Sequence, residues 1–123
     1  MKKKLTRAEE ELMQILWDLE KAFLKDIMNA FPEPKPAQST VSTVLRILEE
    51  KNFVAHNTYG KAHQYYPLLE KEVYAKEYFH TFLGKYFEGS FERMLNFFME
   101  EGSLSMEDLD QVMRKIEENQ KEE

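Results

Sequence analysis

The sequence has no cysteine, and only four of its 123 residues are glycine. Without cysteine the chain has no disulfides, no thiolate metal ligands and no cysteine nucleophile, which agrees with a reducing cytoplasm. The four glycines are isolated, so there is no glycine-rich loop for phosphate binding. No apolar run approaches the ~18 residues that cross a membrane. The basic start at residues 2–4 is followed by polar residues, so we expect no signal peptide and a cytoplasmic protein.

Side chains suited to catalysis or metal binding are also scarce. His56 and His63 lie close in sequence, but His80 is distant, and no cysteine or carboxylate stands at a ligand spacing from them. No serine is followed by a base at a recognisable spacing, and the many carboxylates fall on solvated helix faces. The sequence therefore predicts no enzyme, no catalytic residue, no metal site and no cofactor.

The net charge of −6 is unevenly distributed along the chain. Residues 1–68 hold ten Lys and Arg against nine Asp and Glu, whereas residues 69–123 hold seven against fourteen. An acidic protein is a poor candidate for nucleic-acid binding, because phosphates attract basic surfaces. The asymmetry weakens that objection, since it leaves the first half slightly basic.

Helical periodicity predicts three helices before residue 52. Thr6 and Glu9 match a capping box at the start of the first helix, which extends to about residue 20. A short second helix ends before the proline-rich segment 32–36, and a third covers about 39–51. Asn52 then suits a left-handed helix end.

A β-hairpin is predicted to follow the third helix. Segments 53–58 and 62–66 are rich in β-forming residues and flank Tyr59-Gly60-Lys61. Three helices and a hairpin form the element order of a winged helix, a helix-turn-helix variant. In this fold the last helix enters the major groove of DNA, and the hairpin, called the wing, lies along the backbone.

The third helix has one apolar face and one unusual polar face. At ~100° per residue, Val41, Leu45 and Leu48 share one side. The opposite side has short hydroxyls and an arginine, which let a helix approach DNA closely and read guanine. The candidate DNA-contacting residues there are Ser39, Thr40, Ser42, Thr43 and Arg46. An ordinary solvated face is the alternative.

The predicted wing supplies Tyr59, Lys61 and His63 as further DNA-contacting candidates. A wing needs a basic tip beside small or aromatic residues to contact phosphates. The alternative is a surface hairpin with incidental polar residues.

Residues 70–123 contain three further predicted helices, the last of them capped by Ser105, and a surplus of apolar side chains. Aromatic rings crowd residues 74–98, more than a small helical segment can bury. Homodimerisation is the simplest way to cover them, and packing back on the first half is the alternative. We expect the charged tail from Glu117 to fray. The candidate dimer-interface residues are Tyr74, Phe82, Tyr86, Phe91, Leu95, Phe98, Leu109, Val112, Met113 and Ile116.

The predicted fold class is mainly α with a small β-hairpin. Residues 1–69 form an N-terminal winged-helix DNA-binding domain, and residues 70–123 form an all-α dimerisation domain. A winged-helix module that binds proteins and not DNA remains the alternative function, and the acidic composition favours it.

Several motifs occur in the order and spacing of a known family. They are Leu5-Thr6-Arg7-Ala8-Glu9 with Leu16-Trp17, Thr40-Val41-Ser42-Thr43-Val44-Leu45, Lys51-Asn52-Phe53, Tyr65-Tyr66-Pro67-Leu68 and Leu104-Ser105 with Glu107 and Leu109. On these residues the chain resembles the penicillinase-repressor family, the BlaI/MecI type, over essentially its whole length. It departs from the family at Ile47, where arginine is usual, at Asn52, where glycine is usual, and in the proline-rich connector.

The resemblance implies a dimeric winged-helix repressor of resistance genes that binds a palindromic operator of double-stranded DNA. It also implies release by proteolysis, when a membrane sensor protease detects a β-lactam. The family's cleavage falls at an Asn-Phe bond in a matching position, which here is the bond between Asn96 and Phe97. A related copper-responsive branch carries a cysteine motif that this chain lacks.

Overall fold

The computed structural model describes residues 4–122, so Lys2 and Lys3 of the basic start lie outside the described residues. The helices of the described part are α1 (Arg7–Leu19), α2 (Leu24–Ala30), α3 (Gln38–Glu50), α4 (Lys71–Tyr86), α5 (Phe91–Glu100) and α6 (Met106–Glu122). The strands are β1 (Ala22–Phe23), β2 (Val54–Tyr59) and β3 (Ala62–Pro67). The protein is therefore mainly α-helical with a small antiparallel sheet, as the sequence predicts.

The capping box at the start of α1 is confirmed. The Thr6 hydroxyl accepts from the backbone N–H of Glu9 at 3.2 Å, and the Glu9 carboxylate accepts from the N–H of Thr6 at 2.8 Å. Glu9 is nevertheless buried, and Lys51 at the end of α3 donates to both of its oxygens, at 2.8 and 3.0 Å. This ion pair joins the start of α1 to the end of α3.

One apolar core holds the N-terminal elements together. Its central residues come from α1, α2 and α3, and each is almost completely buried: Leu12, Met13, Leu16, Ile27, Val41, Leu45 and Leu48. The predicted apolar face of α3 is thus the face that packs. Asn52 has φ 63°, the left-handed conformation expected of it, and Phe53 then donates from its N–H to the carbonyl of Leu48 at 2.9 Å.

The sheet has three strands in the order β1-β3-β2, and not the two of the predicted hairpin. Ala22 and Phe23, in the connection between α1 and α2, pair with Tyr65 and Gln64. A two-residue strand has no periodicity to detect, so the sequence pattern could not predict it. Its effect is to fix the hairpin against the helices.

The connector between α2 and α3 is held by Lys35. Its ammonium group donates to the carbonyls of Met28, Asn29 and Phe31 at 3.0, 3.4 and 2.7 Å. These are among the carbonyls that a helix C-terminus leaves without partners, so Lys35 caps α2 from the following segment.

The chain divides into two compact units, Met1–Glu77 and Tyr78–Glu123. The first turn of α4 belongs with the N-terminal unit, because Tyr74 donates its hydroxyl to Glu10 at 2.9 Å and its ring lies 5.8 Å from that of Trp17. The Trp17 indole N–H donates to the carbonyl of Leu69 at 2.8 Å. The sequence analysis places the boundary between the DNA-binding domain and the dimerisation domain after residue 69. That boundary is a functional one, and it stays a prediction.

The second unit contains the end of α4 together with α5 and α6. Ser90 caps α5, and Ser105 and Asp108 bond reciprocally at 3.1 Å at the start of α6, as predicted for Ser105. The tail predicted to fray from Glu117 continues as helix to Glu122. In the part of the chain that the structure describes, no helix is both long and apolar enough to cross a membrane.

Candidate nucleic-acid interface

The polar face of α3 is exposed along its whole length. Its five candidate residues, Ser39, Thr40, Ser42, Thr43 and Arg46, are all exposed, whereas Val41, Leu45 and Leu48 of the same helix are buried. The structure therefore brings the predicted DNA-contacting side chains of α3 together on one open surface. The helical period places these residues on one side of α3. The opposite side packs in the core, so the polar side faces outward.

Thr43 and Arg46 differ in how many hydrogen-bond donors they have available for contacts outside the protein. The Thr43 hydroxyl donates to the carbonyl of Ser39 at 3.0 Å, so its hydrogen is already used within the helix. Its methyl group and oxygen lone pairs remain for contacts. The Arg46 side chain makes no hydrogen bond or ion pair with any other described side chain of residues 4–119, which leaves its five N–H donors available.

The tip of the hairpin is formed by a two-residue turn. Tyr59 pairs with Ala62, so Gly60 and Lys61 lie between the strands, and Gly60 has φ 63°, which glycine adopts without strain. Lys61 is exposed. Tyr59 is also exposed and meets the ring of Phe23 edge-on at 6.1 Å, so the wing tip is braced by β1.

His63, the third wing candidate, belongs to a group of side chains that sequence analysis missed. The His56 and His63 rings are T-shaped with centroids 4.2 Å apart, and His56 Nδ1 lies 2.6 Å from the Glu49 carboxylate. Burial and the negative charge of Glu49 raise the pKa of Tyr65, whose ring is 5.6 Å from His56. We call Glu49, His56, His63 and Tyr65 the helix–wing cluster.

Part of this cluster could have been found from the sequence. A two-residue turn at Gly60 fixes the register, which pairs Thr58 with His63 and His56 with Tyr65 on one face of the hairpin. The contact with Glu49 requires the packing of α3 on β2, which no local pattern shows. Among the described residues, no group of His, Cys, Asp and Glu is arranged to hold a metal ion.

The predicted interface residues of the second unit are mostly accessible. Tyr86, Phe91, Val112, Met113 and Ile116 are exposed, and Phe82, Leu95, Phe98 and Leu109 are half-buried. The structure places Tyr74 elsewhere: it is only 8% exposed, within the core of the first unit. It shares the helical period of the exposed aromatics, so the sequence could not separate it from them.

The predicted cleavage position lies inside α5. Asn96 is exposed, and Phe97 is 52% exposed with its ring 5.7 Å from Phe87 and 5.2 Å from Phe98. Both residues are thus exposed, and the bond between them is part of a helix.

Comparison with known proteins identifies a family. A sequence model of the penicillinase repressor family matches residues 5–118. The penicillinase repressor of Bacillus licheniformis is 26% identical over 116 residues, which cover 94% of this chain and 91% of the relative. The methicillin resistance regulatory protein MecI of Staphylococcus aureus strain N315 is 26% identical over 109 residues, covering 88% and 89%. MecI of Mammaliicoccus sciuri is 25% identical over the same length. Because the match spans nearly the whole sequence, this chain belongs to the penicillinase repressor family, a family of transcriptional repressors and not of enzymes.

Proposed function

We propose that this protein is a dimeric transcriptional repressor that binds a palindromic operator of β-lactam-resistance or related genes. We further propose that proteolysis in the second unit inactivates it. The observation that carries the proposal is the exposed hydroxyl and arginine face of α3, beside a hairpin with Lys61 at its tip, in a chain of a repressor family.

In this proposal α3 is the recognition helix. Its short side chains allow the helix backbone to approach the floor of the major groove, and Arg46 has its full set of donors available to the O6 and N7 atoms of guanine. Ser39 and Thr40, at the first turn, lie where exposed backbone N–H groups and hydroxyls suit a phosphate.

The wing contributes affinity more than sequence selection. Lys61 would contact backbone phosphates, and Tyr59 and His63 would lie beside them. Contacts of this kind position a protein on the duplex and make binding sensitive to salt, but they carry little base information.

The second unit buries few apolar side chains within its described part, and this supports dimerisation. Among its described side chains, up to residue 119, Leu83 is the one apolar residue that is buried, whereas Tyr86 is 67% exposed. The apolar stripe of α6 is exposed as well, and it consists of Met106, Val112, Met113 and Ile116. A unit without a core of its own gains little stability from burial. A second copy would cover the same stripe on both chains, because two-fold contacts are self-complementary. Functionally, residues 1–69 then bind DNA and 70–123 dimerise.

A two-fold dimer implies a palindromic operator. Each protomer presents one α3, and two such helices address half-sites one helical turn, or a few turns, apart. The names of the relatives, a penicillinase repressor and a methicillin resistance regulator, support resistance genes as the target.

Inactivation by a sensor protease is the third part of the proposal. Cleavage between Asn96 and Phe97 would detach residues 97–123 and with them the whole of α6. Each fragment would lose a large part of the exposed apolar surface that the dimer uses. Because the bond lies in a helix, α5 must open locally before a protease can cut it.

Two measurements test the proposal. Fluorescence anisotropy with a duplex from the region upstream of the chain's own coding sequence should show tighter binding than a scrambled duplex of equal composition. Sedimentation equilibrium should show a dimer at micromolar concentration. No binding to either duplex at about 50 mM salt, where charge contacts are strongest, would instead support a module that binds proteins.

A further inference from the structure

The helix–wing cluster contains a hydrogen bond whose direction is fixed by chemistry. Glu49 is on α3 and His56 is on β2, and their Oε2 and Nδ1 atoms are 2.6 Å apart. An ionised carboxylate can only accept, so the hydrogen must be on Nδ1 of His56. The recognition helix and the wing are thus joined by a hydrogen bond between a carboxylate and an imidazole.

His63 is the second imidazole of the cluster. Its ring centroid is 4.2 Å from that of His56, and its Nδ1 lies 3.5 Å from the Thr58 hydroxyl. His56 thus contacts a carboxylate, whereas His63 contacts a hydroxyl.

The net charge of the cluster comes from Glu49 and from His56 when it is protonated. From α3 the cluster is faced by Glu49, and from β3 by His63 and the neutral phenol of Tyr65. Among the described side chains, residues 4–119, no lysine or arginine forms an ion pair with a member of the cluster. With His56 and His63 neutral the cluster carries one negative charge, and with His56 protonated it carries none.

We propose that the Glu49–His56 contact makes DNA binding dependent on pH, with tighter binding in mild acid. This inference rests on the proposed function, because it requires α3 and the wing to approach phosphates. The uncompensated Glu49 charge would lie between the two DNA-contacting elements, within a Debye length of the phosphates, and would repel them. Protonation of His56 removes that repulsion. Histidine is the side chain that changes charge between pH 5 and pH 8.

The experiment measures affinity for the upstream duplex by anisotropy at pH 6 and pH 8 at one salt concentration. The wild-type protein should bind about tenfold more tightly at pH 6, because protonation of His56 removes one repelling charge from each half-site. His56→Gln keeps a donor for Glu49 but cannot take the proton, so its affinity should change clearly less between the two pH values than that of the wild type, and His63 remains as a second titratable ring. His80→Gln is the matched control, since His80 is an exposed histidine on α4, and it should keep the wild-type response.

Glu49→Gln gives a second variant with the opposite effect at high pH. It removes the repelling charge, so it should bind more tightly than wild type at pH 8 and respond less to pH. Equal melting temperatures show that each variant is folded. A wild-type pH response that survives in both His56→Gln and Glu49→Gln would overturn the inference, as would pH-independent binding by the wild-type protein. No binding at either pH would instead reject the proposed function.

Discussion

The buried ion pair between Glu9 and Lys51 allows a stability prediction with a defined sign. Burial of Glu9 raises its pKa, but the hydrogen bonds from Lys51 and Thr6 and the charge of Lys51 outweigh burial, so the pKa is held below its usual value of 4.5. A carboxylate whose pKa is lowered on folding stabilises the folded state at pH values above its pKa in the unfolded chain. That contribution is lost as the pH falls through the folded-state pKa.

The perturbation is Lys51→Met, which keeps the apolar stem and removes the ammonium group. It leaves Glu9, whose side chain is 5% exposed, charged at neutral pH without its partner. Breaking a fully buried pair costs ~3–5 kcal/mol. The Lys51 side chain is 40% exposed, so water screens the pair, and we expect a loss of about 1–2 kcal/mol at pH 7.

The loss should depend on pH. Without Lys51 the pKa of Glu9 rises relative to wild type, because burial is then opposed only by the bonds to Thr6. As the pH falls, Glu9 becomes protonated in both proteins, and the ammonium group no longer has a carboxylate to pair with. The difference between wild type and Lys51→Met should therefore shrink towards pH 3.

The assay is urea unfolding followed by the fluorescence of Trp17, the only tryptophan, which packs against the N-terminal core. Lys61→Met is the control, since Lys61 is exposed at the hairpin tip, and its stability should equal that of wild type at both pH values. Glu9→Gln in the Lys51→Met background should recover part of the loss at pH 7. A deficit of the same size at pH 7 and pH 3 would refute the electrostatic explanation and leave packing as the cause.

Three further predictions concern function. Arg46→Ala should weaken operator binding by ~1–3 kcal/mol with an unchanged melting temperature, whereas Lys61→Ala should weaken all duplexes alike and reduce the salt slope of the dimer by about 2, about 1 for each protomer; equal binding by Arg46→Ala and wild type in anisotropy would remove Arg46 from the interface. Met113→Asp should place a charge in the dimer surface and give a monomer in sedimentation, while a dimer would show that the stripe of α6 is not the contact. Mass spectrometry of the protein from β-lactam-treated cells should find fragments 1–96 and 97–123, and Phe97→Ala should suppress them; an intact chain under full induction would mean that release takes another route.

The features predicted from sequence are those whose signals are local. The capping residues Thr6 and Ser105 act on N–H groups three residues away, and the turn at Gly60 needs only its own neighbours. The polar face of α3 follows from one helical period. These interactions are formed by nearby residues in the chain, so a short window of sequence contains all the information they need.

The features that were missed join residues that are distant in the chain. Lys51 and Glu9 are 42 positions apart, and β1 pairs with β3, which lies some 40 residues further along the chain. Tyr74 has the same spacing as the exposed aromatics of α4, yet a hydrogen bond to Glu10 and the ring of Trp17 hold it in the N-terminal core. Periodicity predicts which face of a helix is apolar, but it does not say what that face meets.

The scarcity of positive charge on the candidate interface explains why dimerisation would control repression. Arg46 and Lys61 are the two basic side chains that the proposal assigns to DNA in each protomer, and of these Lys61 contacts a phosphate, so these contacts of a dimer would neutralise only about two phosphates, with a salt slope near −2. A single protomer would then bind its half-site weakly. Two linked protomers gain affinity because the second contact is intramolecular, by a factor of ~10²–10⁴. Loss of the dimer by cleavage in α5 would remove this factor without altering α3, and that is sufficient to release the operator.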